Sequence, residues 1–208
     1  MITPWMVLIG AYLVGGIPFS YLAGTLTKGI DLRQHGSGNL GASNTYRILG
    51  GKIALVVLVL DIAKGLLPVL LARTFDVGDM EPYHQIAAAV GAVLGHLFSP
   101  YLRFSGGKGI ATSAGAFAGL APWAFLFALI VFLLVFAARR IVSLASLCAA
   151  LTLPIAVYVT SRVGLAPSYS TVLLGSMLVM LFVVVKHRGN IRRLRAGTEP
   201  RLARRRGT

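Results

Sequence analysis

Three short segments of this chain combine glycines, small polar side chains and fixed cations in a pattern suited to phosphate chemistry. The first is His35-Gly36-Ser37-Gly38-Asn39-Leu40-Gly41-Ala42-Ser43-Asn44-Thr45-Tyr46-Arg47. Glycines at 36, 38 and 41 let backbone N–H groups converge into a concave nest for an anion. Arg47 adds a bidentate grip on phosphate. The second segment, Gly95 to Thr112, holds Gly106-Gly107-Lys108-Gly109 at the start of a helix. Glycine amides, a lysine and helix N-terminal N–H groups again favour an anion. The third, Lys186 to Glu199, is strongly basic, and its His187 and Asn190 are three residues apart. That spacing puts both on one helix face, aimed at one site. Ser143 and Ser146 open a later helix and are further donors.

Other readings of these letters are weaker. Gly36-x-Gly38-x-x-Gly41 matches the dinucleotide fingerprint, but that motif needs a preceding strand and a βαβ unit, and here an apolar run precedes it. A Walker loop needs glycine at 102, where this chain has Leu102. The plain alternatives are a flexible polar loop for the first segment and a structural His96 in the second. For the third it is a stop-transfer cluster drawn to anionic lipid, which accounts for Arg204–Arg206. Asp61 and Lys64, also three apart, lie inside an apolar run. An ionisable pair there is either a functional site or a self-neutralising clamp, and both readings stay open.

The elements that position these groups follow from composition. The 208 residues are 56% apolar and 12% charged, with mean hydropathy +0.79. Soluble domains carry about a quarter charged residues, so a membrane protein is expected. The net charge of +14 would suggest nucleic acid in a soluble chain. Here the cations sit between and after apolar runs and set orientation instead, so no nucleic-acid partner is expected. The lone Cys148 forms no internal disulfide.

Apolar runs cover Ile2–Leu26, Ile53–Ala72, His84–Tyr101, Phe117–Ala138, Ile141–Thr160 and Thr171–Val185, each near the ~20 residues that span a bilayer. The first lacks a basic leader and reads as a retained span, not a signal peptide. Residues 27–52, 102–108, 139–140 and the tail from Lys186 hold four, two, two and nine of the 20 cations. They therefore share the cytoplasmic side. Segment 73–83 sets Arg73 against Asp76, Asp79 and Glu81 and lies outside. Parity then sends residues 109–138 out and back as two short limbs bent at Ala121-Pro122-Trp123, because proline ends a helix. The expectation is an all-α polytopic membrane protein: seven transmembrane helices, one short or re-entrant, N-terminus outside and C-terminus cytoplasmic. One long tilted helix over 109–138 is the alternative. With no internal repeat or long linker, residues 1–208 form a single domain. Two small-xxx-small pairs, Gly91–Gly95 and Gly115–Gly119, suit close helix contacts but are no commoner than chance in a chain with 24 glycines.

Taken together, GSGNLGASNTYR at 36–47, GHLFSPYLRFSGGKGIAT at 95–112 and HRGNIRRLRAGTE at 187–199 resemble the bacterial acyl-phosphate:glycerol-3-phosphate acyltransferase family, integral-membrane enzymes of phospholipid synthesis. The resemblance implies transfer of an acyl chain from acyl phosphate to glycerol 3-phosphate, giving 1-acyl-glycerol 3-phosphate and phosphate, at a cytoplasm-facing site in the bacterial inner membrane. It implies roles for Gly36, Ser37, Gly38, Asn39, Gly41, Ser43, Asn44 and Arg47 in a first phosphate loop. Gly106, Gly107, Lys108 and Gly109 form a second, with Ser99 and Thr112 beside it. His187 and Asn190 bind or orient the glycerol 3-phosphate, and Glu199 braces the segment; Ser143 and Ser146, outside the three motifs, are added as substrate contacts from their place at a helix start. Ser37, Arg47, Lys108, His187 and Asn190 are the orienting and transition-state groups. Two departures stand out: Ser43 where Thr is usual, and Ser105 where a cation is usual, a loss that Arg103 offsets.

Acyl phosphate is already activated, so the remaining task is to hold two anions about 3 Å apart at the reacting atoms and stabilise the charge that develops. No His-x4-Asp motif occurs. The expectation is a reaction with no protein nucleophile, metal or cofactor, in which a substrate phosphate takes the hydroxyl proton; His187 as general base is the rival. The acyl chain is expected in a groove lined by Phe98, Phe104 and the aromatics of 117–136. The expected partners are the two substrates and membrane lipid, with the protein monomeric. A small-anion transporter built on glycine-broken half-helices is the competing function.

Overall fold

The computed structural model describes residues 2–76, 82–166 and 169–202. Its regular elements are helices: α1 Pro4–Gly16, α2 Phe19–Lys28, α3 Ala42–Leu49, α4 Gly51–Ala72, α5 Tyr83–Leu97, α6 Ile110–Leu120, α7 Pro122–Arg139, α8 Val142–Arg162, α9 Ser170–Lys186 and α10 Arg188–Arg195. Among the described residues there is no strand. Five segments are long and apolar enough to cross a membrane: Pro4–Lys28, Gly51–Phe75, Tyr83–Leu102, Pro122–Arg139 and Val142–Arg162. The pair α9 and α10, bent by 60°, makes a sixth when taken as one. Helix α6, with 11 residues, is about 16 Å long at 1.5 Å per residue, short of the ~30 Å hydrocarbon core. Asp79, Glu81 and Arg204–Arg206 lie outside the described residues.

The run read as one span, Ile2–Leu26, is two helices. Pro18 offers no N–H and pushes Ile17 out of helical geometry, at φ −55 and ψ 118. The carbonyls at this break are satisfied from elsewhere: Ser99 Oγ donates to Gly16 O at 2.6 Å and Lys64 Nζ to Ile17 O at 2.8 Å. Residues 109–138 do divide, at Ala121, with Pro122 opening α7 at the position where its missing N–H costs nothing. The single tilted helix is not found.

Packing rests on small residues. At Gly91 and Gly95 of α5 an added Cβ would meet the carbonyls of Leu8 and Tyr12 on α1. At Gly65 it would meet the Thr112 carbonyl, and at Gly115 the Ile62 carbonyl, so α4 and α6 touch backbone to backbone. Both small-xxx-small pairs therefore mark real contacts, since Gly119 faces Leu66 and Val69 of α4. The buried core centres on Ala88, Ala89, Ala92, Val93 and Leu97 of α5 with Phe117 of α6. A tight turn at Arg140, φ 56, folds α8 back against α7. The result gathers residues 36–47, 108–117, 142–153 and 187–200 around one cavity.

Candidate active site

The cavity has a volume of about 890 Å³ and two unlike ends. One end is polar, lined by Ser37, Asn39, Ser43, Arg47, Lys108, Ser143, His187, Asn190, Arg193 and Glu199. The other is apolar, lined by Leu58, Ile62, Phe117, Phe125, Ala128, Phe132, Leu153 and Val179. A molecule with an anionic head and a hydrocarbon tail matches that division.

The first loop is shaped by Asn44, which is 1% exposed. Its Oδ1 accepts from Ser37 N at 2.9 Å. Its Nδ2 donates to Leu32 O at 3.2 Å and His35 O at 3.0 Å. One amide thus ties three points of the loop and leaves Asn44 a brace that borders the cavity. Gly36 adopts φ +63, and a Cβ there would collide with the Asn44 carbonyl, so only glycine closes the loop this tightly. Arg47, exposed on α3, reaches the cavity from this side.

The second loop differs from its expectation. Gly106 and Gly107 do not line the cavity; they are packing positions. A Cβ on Gly106 would strike the His96 carbonyl, and one on Gly107 the Leu40 carbonyl and His96 Nε2. Gly107 N donates to His96 O at 3.0 Å. From this loop Lys108 and Gly109 reach the cavity, Gly109 capping α6 at φ 79. Lys108 Nζ donates to Asn190 Oδ1. Burial lowers the Lys108 ammonium to about 8, and the cations Arg193 and Arg47 add to this against the pull of Glu199.

His187 occupies the bend between α9 and α10 and is 2% exposed. Its Nδ1 lies 2.8 Å from Val183 O; a carbonyl only accepts, so Nδ1 carries the proton and Nε2 a free lone pair. Burial first, then the nearby Lys108 charge, lowers its pKa to about 4, so the ring is neutral at pH 7. Glu199 is the hub of the third segment. It accepts from Ser143 Oγ at 2.6 Å, Asn190 Nδ2 at 2.5 Å and Arg193 Nε at 2.7 Å. Burial alone would raise its carboxyl, but these donors outweigh it and hold the pKa below the ordinary value. Since Asn190 gives its NH₂ to Glu199, its carbonyl is left to face Lys108.

Of the sequence-derived candidates, Gly36, Ser37, Asn39, Gly41, Ser43, Asn44, Arg47, Lys108, Gly109, Ser143, Ser146, His187 and Asn190 border the cavity. Gly38, Ser99, Gly106, Gly107 and Thr112 do not. Ser99 caps the end of α1, and Thr112 Oγ1 lies 3.1 Å from His96 Nδ1. Arg103 is not brought to the cavity, so it does not stand in for the cation absent at Ser105. Phe98 packs on Phe182 and under the Lys186 ammonium, and Phe104 is 66% exposed. Of the expected aromatics of 117–136, Phe117, Phe125 and Phe132 line the apolar wall. Arg193 was hidden among the four arginines of the third segment; only its i, i+3 spacing from Asn190 marked it. Asp61 and His96 also border the cavity.

The model of the glycerol-3-phosphate acyltransferase family matches residues 5–197. A glycerol-3-phosphate acyltransferase of Trichlorobacter lovleyi is 46% identical over 190 residues, 91% of this chain and 93% of that protein. One from Geobacter sulfurreducens is 45% identical over 194 residues, 92% and 93% of the two chains. The crystal structure of PlsY (YgiH), an integral membrane glycerol 3-phosphate acyltransferase, in its glycerol 3-phosphate form superposes with TM-score 0.87 at 35% identity, covering 96% of each chain. The lysophosphatidic acid form gives TM-score 0.84 at 34% identity, covering 96% of this chain and 95% of that one.

Proposed function

The chain belongs to the glycerol-3-phosphate acyltransferase family, and from that premise we propose that its acyl donor is acyl phosphate and that the cavity is the place of transfer. The chain is a multi-pass membrane acyltransferase that acts on glycerol 3-phosphate. The carrier alternative is not favoured, since the family and relatives it matches are acyltransferases. The observation that supports the proposed site is its division into a cationic, amide-rich end and a hydrocarbon-lined end.

In the proposed reaction the glycerol hydroxyl oxygen attacks the acyl carbonyl carbon. The bond from that carbon to the phosphate oxygen breaks, and phosphate leaves with the electron pair. Arg47 and Lys108 offset the repulsion between two anionic substrates and stabilise negative charge as it develops. The Nε2 lone pair of His187 accepts from the hydroxyl and aims it. A base with a pKa of about 4 is far from the operating pH, where proton acceptors work best. A phosphate group, with a second pKa of about 6, is the better acceptor for the hydroxyl proton. Ser37, Asn39 and Ser43 complete the phosphate cradle, and Ser143 and Ser146 contact substrate from α8. The acyl chain runs between α6, α7, α8 and α9.

In this reading residues 1–208 form one domain that crosses the bacterial inner membrane seven times, with α6 as a short crossing. The N-terminus is outside and the site faces the cytoplasm. The support is the cation distribution and the position of the second-loop, α8 and tail residues around one cavity. The protein works as a monomer. The test is purified protein in detergent with acyl phosphate and glycerol 3-phosphate and no sealed compartment. Formation of 1-acyl-glycerol 3-phosphate and phosphate is expected. Activity with acyl thioesters but not with acyl phosphate would overturn the donor assignment.

A further inference from the structure

Asp61 and Lys64 form an ion pair at 2.8 Å inside α4, with both side chains almost wholly buried. A clamp that merely neutralised two charges would need nothing more. Each partner is instead tied to a different part of the site's scaffold. Lys64 Nζ is fixed on Ile17 O at 2.8 Å, a carbonyl left open by the break before Pro18, and sits 5.5 Å over the Phe19 ring. Asp61 Oδ1 lies 3.7 Å from His96 Nδ1. The same nitrogen lies 3.1 Å from Thr112 Oγ1 on α6. The imidazole is therefore hydrogen-bonded to α6, and the same nitrogen faces the Asp61 carboxylate of α4 beyond hydrogen-bond distance. Asp61 and His96 border both the large cavity and a small one of about 10 Å³ behind it.

The far edge of that imidazole meets Gly107. His96 Nε2 occupies the space a Cβ on residue 107 would need, and His96 O accepts from Gly107 N at 3.0 Å. The next residue is Lys108, whose ammonium reaches Asn190 at the polar end of the cavity. One glycine thus separates the ring from the residue that carries the cation. Misplacing a reacting group by about 1 Å costs on the order of a hundredfold in rate.

We propose that Asp61, acting through His96, is a positioning residue that sets where Gly107 and hence Lys108 sit, an inference that rests on the acyltransfer reading of the cavity. Asp61 touches neither reacting atom. The Thr112 hydroxyl anchors the ring at 3.1 Å, the Asp61 charge acts on the same nitrogen from 3.7 Å, and the ring seats the loop.

A structural clamp and a positioning device part company in the neutral double variant Asp61→Asn/Lys64→Met. Removing both charges leaves no unpaired ion, and such exchanges are often neutral for stability; the one bond lost with them is the Lys64 donor to the Ile17 carbonyl. Expected is a melting temperature within about 4 °C of wild type, with KM for glycerol 3-phosphate raised about tenfold or more and kcat changed less. His96→Phe, which keeps the ring and removes its polar anchors, is expected to raise KM in the same way. Wild-type KM in either folded variant overturns the proposal. Where the double variant does not fold, His96→Phe decides by the same criterion. Wild-type protein with no acyltransfer to glycerol 3-phosphate is a different result: it overturns the functional reading, not the linkage from Asp61 to Lys108.

Discussion

The Lys108 ammonium and the Asn190 side-chain carbonyl meet across the cavity mouth, joining the loop before α6 to the helix after the membrane bend, 82 residues further on. Asn190 is oriented for this by Glu199, so the cation rests on a neutral acceptor and keeps its charge available to a phosphate.

That charge gives a pH signature. The Lys108 pKa in the folded protein is about 8, below the ordinary 10.5. The side chain is charged below about 8 and neutral above it. Values of kcat/KM report the free enzyme, so kcat/KM for glycerol 3-phosphate is expected to fall above pH 8, approaching tenfold per unit. Lys108→Met is expected to remove that limb along with most activity. A wild-type profile flat from pH 7 to 9.5 would contradict the assignment. Stability moves the other way: between about 8 and 10.5 the unfolded chain binds the extra proton, so this group makes stability rise with pH there.

His187→Gln keeps a polar side chain at the bend. Loss of one oriented hydrogen bond, about 1 kcal/mol, is expected to raise KM for glycerol 3-phosphate about five- to tenfold, with a smaller fall in kcat. A collapse of kcat by ~10³ with KM unchanged would make His187 the general base.

Glu199→Ala leaves three donors without their acceptor. Unfolding free energy is expected to drop by about 1–3 kcal/mol, and KM to rise as Asn190 loses its orientation. The Glu199 pKa is lowered in the folded state. Its contribution is therefore present above the ordinary carboxylate pKa and lost as pH falls through the depressed one. Thermal melts of wild type and variant from pH 7 down to pH 3 are expected to converge.

Ala128 on α7 is 7% exposed and borders the apolar end of the cavity. Ala128→Phe fills part of that slot. Expected is at least a tenfold loss of kcat/KM for long-chain acyl phosphates and little change for short ones, measured over a series of chain lengths. Equal losses at all lengths would place the hydrocarbon chain elsewhere.

A cysteine at position 140 is expected to resist an impermeant thiol reagent added outside intact cells and to react once the membrane is opened. Labelling from outside would remove the seven-crossing arrangement.

Much of this was legible in the chain itself. Apolar run length and low charge announced a helical membrane protein. The proline at 122 and the cation count together divided residues 109–138, and α6 and α7 do part at Ala121. The same reasoning missed the break at Pro18, because an uninterrupted apolar stretch hides whether distant groups are present to satisfy the freed carbonyls. Ser99 and Lys64 supply them from 83 and 47 residues away.

Sequence by itself determined the class of element and the chemical character of the three polar segments, since hydropathy, helix-ending prolines and the affinity of amides and cations for anions are local properties. Tertiary structure alone decided how each group is used. Gly36 closes a loop while Gly107 makes room for an imidazole, although the two read alike as phosphate-loop glycines. Arg193 enters the site and Arg103 does not. What a residue does depends on what lies opposite it, and that is fixed by contacts between segments that no local pattern records.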